Sequence, residues 1–270
     1  MEKLLVHKNS GLDLKVLVKN IIIGGKEKII ISGPCSVEDY DIMYSIAKNL
    51  KKNGVHMLRG GAFKPRTSPY DFQGLKEEGL KILKSIGDEF NMPIVTEVMD
   101  TQDIDLVSNY ADMLQIGSRN MYNYSLLKEV GKLRTPILLK RGMSATLSEW
   151  LYAAEYIMSK GNENVVLCER GIRTFETHTR NTLDLSSVAA IKQNYRIPVI
   201  VDPSHGTGRR ELVARMSLAS IAAGADGLII ESHTDPDKAV SDSSQTVSME
   251  TINTIAKKIK KFDEFLNIIN

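Results

Sequence analysis

The chain has 270 residues, of which 42% are hydrophobic and 25% are charged, a composition typical of a globular protein. Its formal net charge of +2 is too small to predict binding to nucleic acid or to a membrane surface. The two cysteines are far apart and have no CxxC spacing, so a reducing, cytoplasmic environment is expected rather than a disulfide framework. No apolar run approaches the roughly 20 residues that a membrane-spanning helix needs.

Residues 1–28 precede the regular part of the chain and are predicted to form an N-terminal arm and hairpin. Residues 1–14 are polar and predict a loose arm. Two apolar triplets, 16–18 and 21–23, flank a Lys-Asn pair and predict a short β-hairpin. We expect this hairpin to plug one end of the domain that follows.

From residue 29 onward, short apolar segments alternate with segments of helical periodicity. Eight strands are predicted, at 29–31, 56–58, 93–97, 113–117, 136–140, 165–168, 198–202 and 227–231. The intervening helices are predicted at 38–52, 75–86, 101–109, 124–130, 146–161, 183–193, 210–223 and 248–267. Apolar strands in such a series predict one closed α/β domain, a (β/α)8 TIM barrel over residues 29–270. A doubly wound open sheet is the alternative, but the GxGxxG turn that usually follows its first strand is absent.

In a TIM barrel, the chemistry lies at the C-terminal ends of the strands. Strands one, seven and eight become neighbours when the barrel closes, and their ends offer a thiol, an imidazole and two carboxylates: Cys35, His205, Glu231 and Asp242. This donor set suits a divalent first-row metal such as Mn, Fe, Co or Zn, and does not suit Mg or Ca. Cys35 alone would more often be a buried structural thiol, so the prediction depends on the convergence of all four residues.

The other strand ends are strongly cationic. The loop after the second strand spans residues 58–74 and reads LRGGAFKPRTSPYDFQG. Its three cations, Arg59, Lys64 and Arg66, lie within eight residues that include no acid. Its basic and hydroxyl groups suit phosphate oxygens. Strands two, four, five and six together carry the cations Arg59, Lys64, Arg66, Arg119, Lys140 and Arg170. The pattern predicts a metal-assisted carbon–carbon bond reaction on phosphorylated substrates, and a sugar-phosphate aldolase or isomerase fits it equally well.

Other polar residues are interpreted more simply. Cys168 lies inside the sixth strand and is predicted to be a core thiol. His56 begins a strand at the opposite rim and is predicted to be structural, while His178 and His233 lie at the catalytic rim without an assigned role. Asp202 is a candidate partner of a metal ligand or of a metal-bound water.

Eight motifs follow one another along the chain: GPCSVE, LRGGAFKPRTSPYDFQG, TEVMD, LQIGSRNM, LLKRG, ERGIRTFE, DPSHGTGRR and IIESH. Their sequence and order resemble those of the type I beta group of 3-deoxy-D-arabino-heptulosonate 7-phosphate (DAHP) synthases, over nearly the whole chain. The resemblance implies the condensation of phosphoenolpyruvate with erythrose 4-phosphate, the first step of the shikimate pathway and so of aromatic amino acid biosynthesis.

The resemblance also implies a role for each matching residue. The implied metal ligands are Cys35, His205, Glu231 and Asp242. The implied catalytic residues are Cys35, Lys64, Glu97 and His205. The implied substrate-binding residues are Arg59, Lys64, Pro65, Arg66, Thr67, Gln115, Ser118, Arg119, Lys140 and Arg170.

Within these sets, Arg119, Lys140 and Arg170 are expected to bind the phosphate and carboxylate of phosphoenolpyruvate. The segment 64–67 is expected to bind erythrose 4-phosphate. Glu97 is expected near the phosphate or the attacking water. Lys64 is the candidate proton donor to the new alkoxide, because a lysine among cations can have a lowered pKa.

Two alternatives stay open at this stage. The related octulosonate 8-phosphate synthases use arabinose 5-phosphate, and they carry an Asn-Arg-Ser type segment where this chain has Pro65, Arg66 and Thr67. Cys35 also disfavours a metal-independent enzyme, which in that relative carries Asn at this place. The second alternative is a barrel that binds phosphorylated metabolites without catalysis.

Many members of the resembled group carry an extra regulatory domain. We expect a barrel without domain-based feedback inhibition here, and the group suggests a homotetramer. Tyrosine, phenylalanine or prephenate added to a steady-state assay tests the first expectation, and strong inhibition would contradict it.

Overall fold

The computed structural model describes residues 4–64, 68 and 70–269, with side chains described through residue 265. Within this part of the chain, no helix is long and apolar enough to cross a membrane.

The first described residues, 4–6, form a packed segment rather than the expected loose arm. Val6 is fully buried, and its carbonyl accepts a hydrogen bond from the backbone N–H of Arg196 at 2.9 Å. The backbone N–H of Leu5 donates to Oε1 of Glu155 at 2.8 Å. The apolar Leu4, Leu5 and Val6 pack on the barrel, so the expectation of a loose arm is wrong for these three residues.

The predicted hairpin is present as strands β1 (Val16–Val18) and β2 (Ile21–Ile23), paired antiparallel. Its buried residues Val16, Val18 and Ile23 pack against the barrel interior, including Ile29 and Met113, which begin their strands. The hairpin therefore closes the N-terminal end of the barrel, as predicted.

Eight parallel strands form the closed barrel. They are β3 (Ile29–Gly33), β4 (Met57–Arg59), β5 (Ile94–Glu97), β6 (Met113–Ile116), β7 (Ile137–Lys140), β8 (Val165–Glu169), β9 (Val199–Val201) and β10 (Gly227–His233). Each pairs in parallel with the next, and β10 pairs with both β9 and β3, which closes the sheet. A two-residue strand, β11 (Val247–Ser248), extends the end of β10. The predicted TIM barrel is therefore confirmed.

Helices connect and surround the strands. They are α1 (Tyr40–Lys52), α2 (Lys76–Glu89), α3 (Ile104–Ser108), α4 (Tyr124–Val130), α5 (Leu147–Met158), α6 (Leu185–Asn194), α7 (Pro203–Thr207), α8 (Arg210–Ala222) and α9 (Met249–Ile269). Short 3-10 turns occur at Lys8–Ser10, Thr101–Asp103, Ser118–Asn120 and Pro236–Lys238.

The start of α5 shows how local sequence sets these boundaries. The hydroxyl of Thr146 accepts from the backbone N–H of Glu149, and the Glu149 carboxylate accepts from the backbone N–H of Thr146 at 2.7 Å. This reciprocal capping satisfies two N–H groups that would otherwise lack partners.

Helix α7 was not predicted. The seventh strand was expected to run to Asp202, but β9 ends at Val201, and the Asp202 side chain caps the helix by accepting from the backbone N–H of His205. An aspartate N-cap followed by proline at the first helical position favours this turn. Only five residues follow the cap, and one of them is Gly206, so helical periodicity gives no signal.

Candidate active site

The four predicted metal ligands lie together at the C-terminal mouth of the barrel. One ligand atom from each of Cys35, His205, Glu231 and Asp242 lies within 4.8 Å of every other. Sγ of Cys35 is 2.9 Å from Oδ2 of Asp242, and Nε2 of His205 is 3.4 Å from Oε1 of Glu231. Thiolate, imidazole and carboxylate are ligands of divalent first-row metals, so these residues fit such an ion.

Cys35 enters the site through a close approach of two strands. A Cβ added at Gly33, at the end of β3, would lie 2.0 Å from the carbonyl oxygen of Arg59, so only glycine fits there. Nζ of Lys64 then donates to both the carbonyl oxygen of Cys35, at 3.0 Å, and its Sγ, at 2.8 Å. The thiol is thus held between a lysine and the carboxylate of Asp242.

Burial raises the pKa of the Cys35 thiol to about 12, with a further rise from Glu231 and an opposing effect of Lys64. The thiol therefore carries a proton at neutral pH and donates it to Asp242. A metal ion that binds here must displace that proton.

The pKa of Lys64 differs from the expectation. Burial lowers it, but Cys35 and Glu231 raise it more, so the pKa lies above its ordinary value. The expected lowering was wrong because it considered the neighbouring cations alone and not the thiol and carboxylate that fold against Lys64.

His205 is oriented by the residue that caps its own helix. Nδ1 of His205 lies 2.7 Å from Oδ2 of Asp202, and the same oxygen accepts from Nζ of Lys140 at 2.6 Å. Burial alone raises the pKa of Asp202, but His205 and Lys140 hold it well below its usual range. Burial also lowers the pKa of His205, so a neutral imidazole turns Nε2 towards the other three ligands.

Glu231 is fully buried and has a partner on each oxygen. Oε1 accepts from Nη1 of Arg59 at 3.1 Å, and Oε2 accepts from Nε2 of Gln245 at 2.6 Å. Burial raises the pKa of Glu231, but His205 and Arg59 outweigh this effect and lower it from its ordinary value. The carboxylate is therefore charged and oriented by the protein.

A cavity of about 280 Å³ opens beside the four ligands. Eight predicted site residues line it together with His205 and Asp242: Arg59, Lys64, Glu97, Gln115, Ser118, Arg119, Lys140 and Arg170. The structure thus brings the predicted metal ligands and all described substrate-binding candidates to one mouth. Pro65, Arg66 and Thr67 lie outside the described residues.

Among the described residues, Arg119 and Arg170 line the cavity without forming an ion pair to an acidic side chain. Arg170 is 4% exposed, and within the described residues its side chain donates only to the carbonyl of Gly171, at 3.3 Å. Arg119 is exposed to the cavity and forms no ion pair within that same part of the chain. Burial lowers the pKa of Arg170. Because a buried cation without a counter-charge is unfavourable, this side of the cavity is suited to an anionic ligand.

Glu97 and Gln115 form the wall between these cations and the second strand. Nε2 of Gln115 donates to Oε2 of Glu97 at 3.0 Å, and both residues line the cavity. A Cβ added at Gly117 would lie 2.1 Å from Oε1 of Glu97, so this glycine makes room for the carboxylate. Glu97 is thereby oriented into the same cavity as Arg119 and Arg170.

Arg180 and Gln245 contact the metal ligands but were not predicted from the sequence. Nη1 of Arg180 donates to Oδ1 of Asp242 at 3.1 Å and to Oε1 of Gln245 at 2.9 Å. Arg180 and Gln245 lie in long loops without periodicity, and Arg180 is 62 residues from Asp242 in sequence. Their position after the sixth and eighth barrel strands was the available signal, because such loops form the mouth of a TIM barrel. Asp71 and Met143 also line the cavity without having been predicted.

Cys168 and His56, which were predicted to be structural, occupy the expected places. Cys168 is fully buried in the barrel interior, where burial raises its pKa. Nδ1 of His56 accepts from the backbone N–H of Ile30 at 3.0 Å, at the rim opposite the cavity. His178 is exposed and contacts Arg209, while His233 is buried beside Glu38.

The fold and this mouth define a TIM-barrel enzyme that combines a metal-ligand cluster with a cationic substrate cavity. The sequence model of the DAHP synthetase I family matches residues 6–267. The chain therefore belongs to the DAHP synthetase I family, whose members are metal-dependent enzymes that form a carbon–carbon bond.

Individual relatives agree with this assignment. The chain is 46% identical over 256 residues to the phospho-2-dehydro-3-deoxyheptonate aldolase of Thermotoga maritima, covering 95% of this chain and 76% of that protein. It is 28% identical to the 2-dehydro-3-deoxyphosphooctonate aldolase of Geobacter sulfurreducens, covering 92% of this chain and 97% of the relative.

Two solved structures also resemble the fold. The Thermotoga maritima phospho-2-dehydro-3-deoxyheptonate aldolase (DAHP synthase) superimposes with a TM-score of 0.96 at 45% identity, over 98% of this chain and 78% of that one. A truncated form of 3-deoxy-D-arabino-heptulosonate 7-phosphate synthase from the same organism gives a TM-score of 0.90 at 42% identity, over 97% of both chains.

Proposed function

We propose that this mouth condenses phosphoenolpyruvate with D-erythrose 4-phosphate and water, giving 3-deoxy-D-arabino-heptulosonate 7-phosphate and phosphate. The observation that carries the proposal is the position of Arg119 and Arg170, which have no acidic partner among the described residues, beside four convergent metal ligands. The family and the 46% identical relative support the same reaction.

The cations would bind and orient phosphoenolpyruvate. Arg119 and Arg170 line the cavity and would donate to its phosphate and carboxylate, and Lys140 reaches the same cavity from the end of β7. Forked guanidinium groups hold such oxygens in a defined orientation. This would fix C3 of phosphoenolpyruvate for attack on the aldehyde carbon.

Cys35, His205, Glu231 and Asp242 would hold a divalent ion at the aldehyde end of the cavity. When bound, such an ion supplies polarisation of a carbonyl oxygen. Lys64, with Nζ 2.8 Å from Sγ of Cys35 and a raised pKa, is a protonated donor at this end. We assign it the proton that the new alkoxide takes up.

The second half of the reaction is addition of water at C2 of the former phosphoenolpyruvate. Glu97, which accepts a hydrogen bond from Gln115 and lines the cavity, would orient that water. Phosphate then leaves with cleavage of its C–O bond. Its developing charge stays within reach of Arg119 and Arg170.

The co-substrate assay tests this proposal. Phosphate release is measured with phosphoenolpyruvate plus erythrose 4-phosphate, or plus arabinose 5-phosphate, before and after metal removal with a chelator and after Mn²⁺ is returned. We expect release with erythrose 4-phosphate only, lost with the chelator and restored by Mn²⁺. Preference for arabinose 5-phosphate would establish the octulosonate reaction, and release that survives metal removal would contradict the metal assignment. No release with either aldose would favour a binding barrel.

We further propose that residues 1–28 act as an arm and hairpin of the catalytic barrel 29–270, and that the enzyme is a cytoplasmic homotetramer. The subunit mass is 30.0 kDa, so analytical ultracentrifugation distinguishes a tetramer directly from a monomer or dimer. The native metal among Mn, Fe, Co and Zn is to be read from the ion that copurifies.

A further inference from the structure

The loop between β8 and α6, residues 170–184, contacts the segment that carries His205. The backbone N–H of Arg180 donates to the carbonyl of Thr207 at 2.9 Å, and Nδ2 of Asn181 donates to the carbonyl of His205 at 2.9 Å. A Cβ added at Gly208, which has a φ of 68°, would lie 2.5 Å from Cβ of Arg180. The loop is therefore held against helix α7 at the position of Arg180.

The side chain of Arg180 reaches from there to one metal ligand, Asp242. Its Nη1 donates to Oδ1 of Asp242 and also to Oε1 of Gln245. Gln245 is 1% exposed, and its Nε2 donates to Oε2 of Glu231. The Gln245 amide thus passes the restraint from Arg180 to the second carboxylate.

Each metal carboxylate consequently has one oxygen held by this network and the other directed at the ligand cluster. Oδ2 of Asp242 faces Cys35, and Oε1 of Glu231 faces His205. Asp242 also has a φ of 54°, a backbone conformation that few residues other than glycine adopt. A ligand held in a sparsely populated conformation depends on its surroundings to stay there.

We propose that Arg180 is a positioning residue that holds Asp242 directly, and Glu231 through Gln245, in the arrangement that binds the metal ion. The inference rests on the proposed metal set and extends it to residues that do not touch the ion. It also assigns the β8–α6 loop a role in the metal site in addition to the substrate cation Arg170 at its start.

Co²⁺ is the probe for this proposal because its visible spectrum reports ligand geometry and its near-ultraviolet band reports thiolate coordination. The apoprotein and three variants, Arg180→Gln, Arg180→Lys and Arg209→Gln, are titrated with Co²⁺ against a competing chelator. Arg209 is the matched control, since it lies on the same rim, is partly exposed like Arg180, and bonds to Glu211 and His178 instead.

Arg180→Gln should weaken Co²⁺ binding by about 10- to 100-fold, as loss of a group that orients a metal ligand does. Its visible bands should shift, Arg180→Lys should recover part of the affinity because the charge is kept, and Arg209→Gln should match the parent. The proposal is overturned if Arg180→Gln binds Co²⁺ like the parent. This holds even if the KM of the variant for phosphoenolpyruvate is raised. An equal loss in Arg209→Gln would also overturn it. A parent protein that binds no Co²⁺ would instead contradict the metal set itself.

Discussion

The barrel mouth has two halves that treat their charges differently. In the metal half, formed by Cys35, His205, Glu231 and Asp242, every ligand is already hydrogen-bonded or ion-paired to another protein group. In the cationic half, formed by Arg119, Lys140 and Arg170, the two arginines have no acidic partner among the described residues. The fold thus preorganises the first half, whereas an anionic substrate is needed to complete the second.

A buried ion pair connects the halves. Lys140, on the cationic side, donates to Asp202, and Asp202 orients the imidazole of His205. The two halves therefore have separate ligands but are linked through the buried carboxylate of Asp202. Variants that change a residue of one half and leave Lys140 and Asp202 intact test most sharply whether the two halves are separate sites.

The largest effect is expected from Cys35→Ala. We expect turnover to fall by about a thousandfold or more, because a bound metal supplies several kcal/mol of transition-state stabilisation. Steady-state phosphate release measures the loss of turnover, and Co²⁺ titration measures the loss of metal binding. Circular dichroism checks that the fold is intact. Cys168→Ala is the matched control, since that thiol is buried in the barrel interior, and it should retain Co²⁺ binding. Full activity of Cys35→Ala would show that the metal assignment is wrong.

A smaller and different effect is expected from Arg119→Gln. Loss of charge-assisted hydrogen bonds worth about 1.5–3 kcal/mol should raise the KM for phosphoenolpyruvate by about 10- to 100-fold. Co²⁺ affinity should stay at the parent value, because Arg119 does not contact the metal half. Arg215→Gln, on the exposed face of α8, is the control for loss of one positive charge. An unchanged KM in Arg119→Gln would remove this arginine from the substrate site.

A third effect, the smallest for a change of one pH unit, is a pH dependence confined to the metal half. Because the pKa of the Cys35 thiol is about 12, the thiol is protonated throughout the neutral range, and each bound ion must release its proton. Co²⁺ affinity should therefore rise with pH, by about tenfold per unit for one released proton. Titrations between about pH 6 and pH 8 measure the slope. Arg119→Gln should keep the parent's slope and Cys35→Ala should lose it, whereas a flat parent profile would exclude thiolate ligation.

Much of this arrangement could be predicted from sequence because it depends on strand order. Eight apolar strands specify a closed barrel, and closing it brings Cys35, His205 and Glu231 together although they are far apart in the chain. The side-chain partners could not be predicted in the same way. Gln245 and Arg180 lie in irregular loops, where no periodicity indicates direction, and their contacts depend on how two loops fold against each other.

The pKa of Lys64 illustrates the same limit for electrostatics. From sequence, its neighbours are the cations of one loop, which would lower its pKa. In the fold its nearest partner is Cys35 from the preceding strand end, and the resulting pKa is raised. The charged residues of the site could therefore be identified from sequence, but the direction of a pKa shift could be predicted only from three-dimensional distances.

Calorimetric titration of phosphoenolpyruvate into Cys35→Ala tests the division of the mouth most directly. Because Arg119, Lys140 and Arg170 are untouched in that variant, it should bind phosphoenolpyruvate with an affinity close to that of the metal-depleted parent while turning over no substrate. Arg119→Gln, titrated alongside, should show the opposite pattern of weakened phosphoenolpyruvate binding and intact Co²⁺ binding. Loss of phosphoenolpyruvate binding in Cys35→Ala would contradict the account, because it would mean that the two halves are not separate sites.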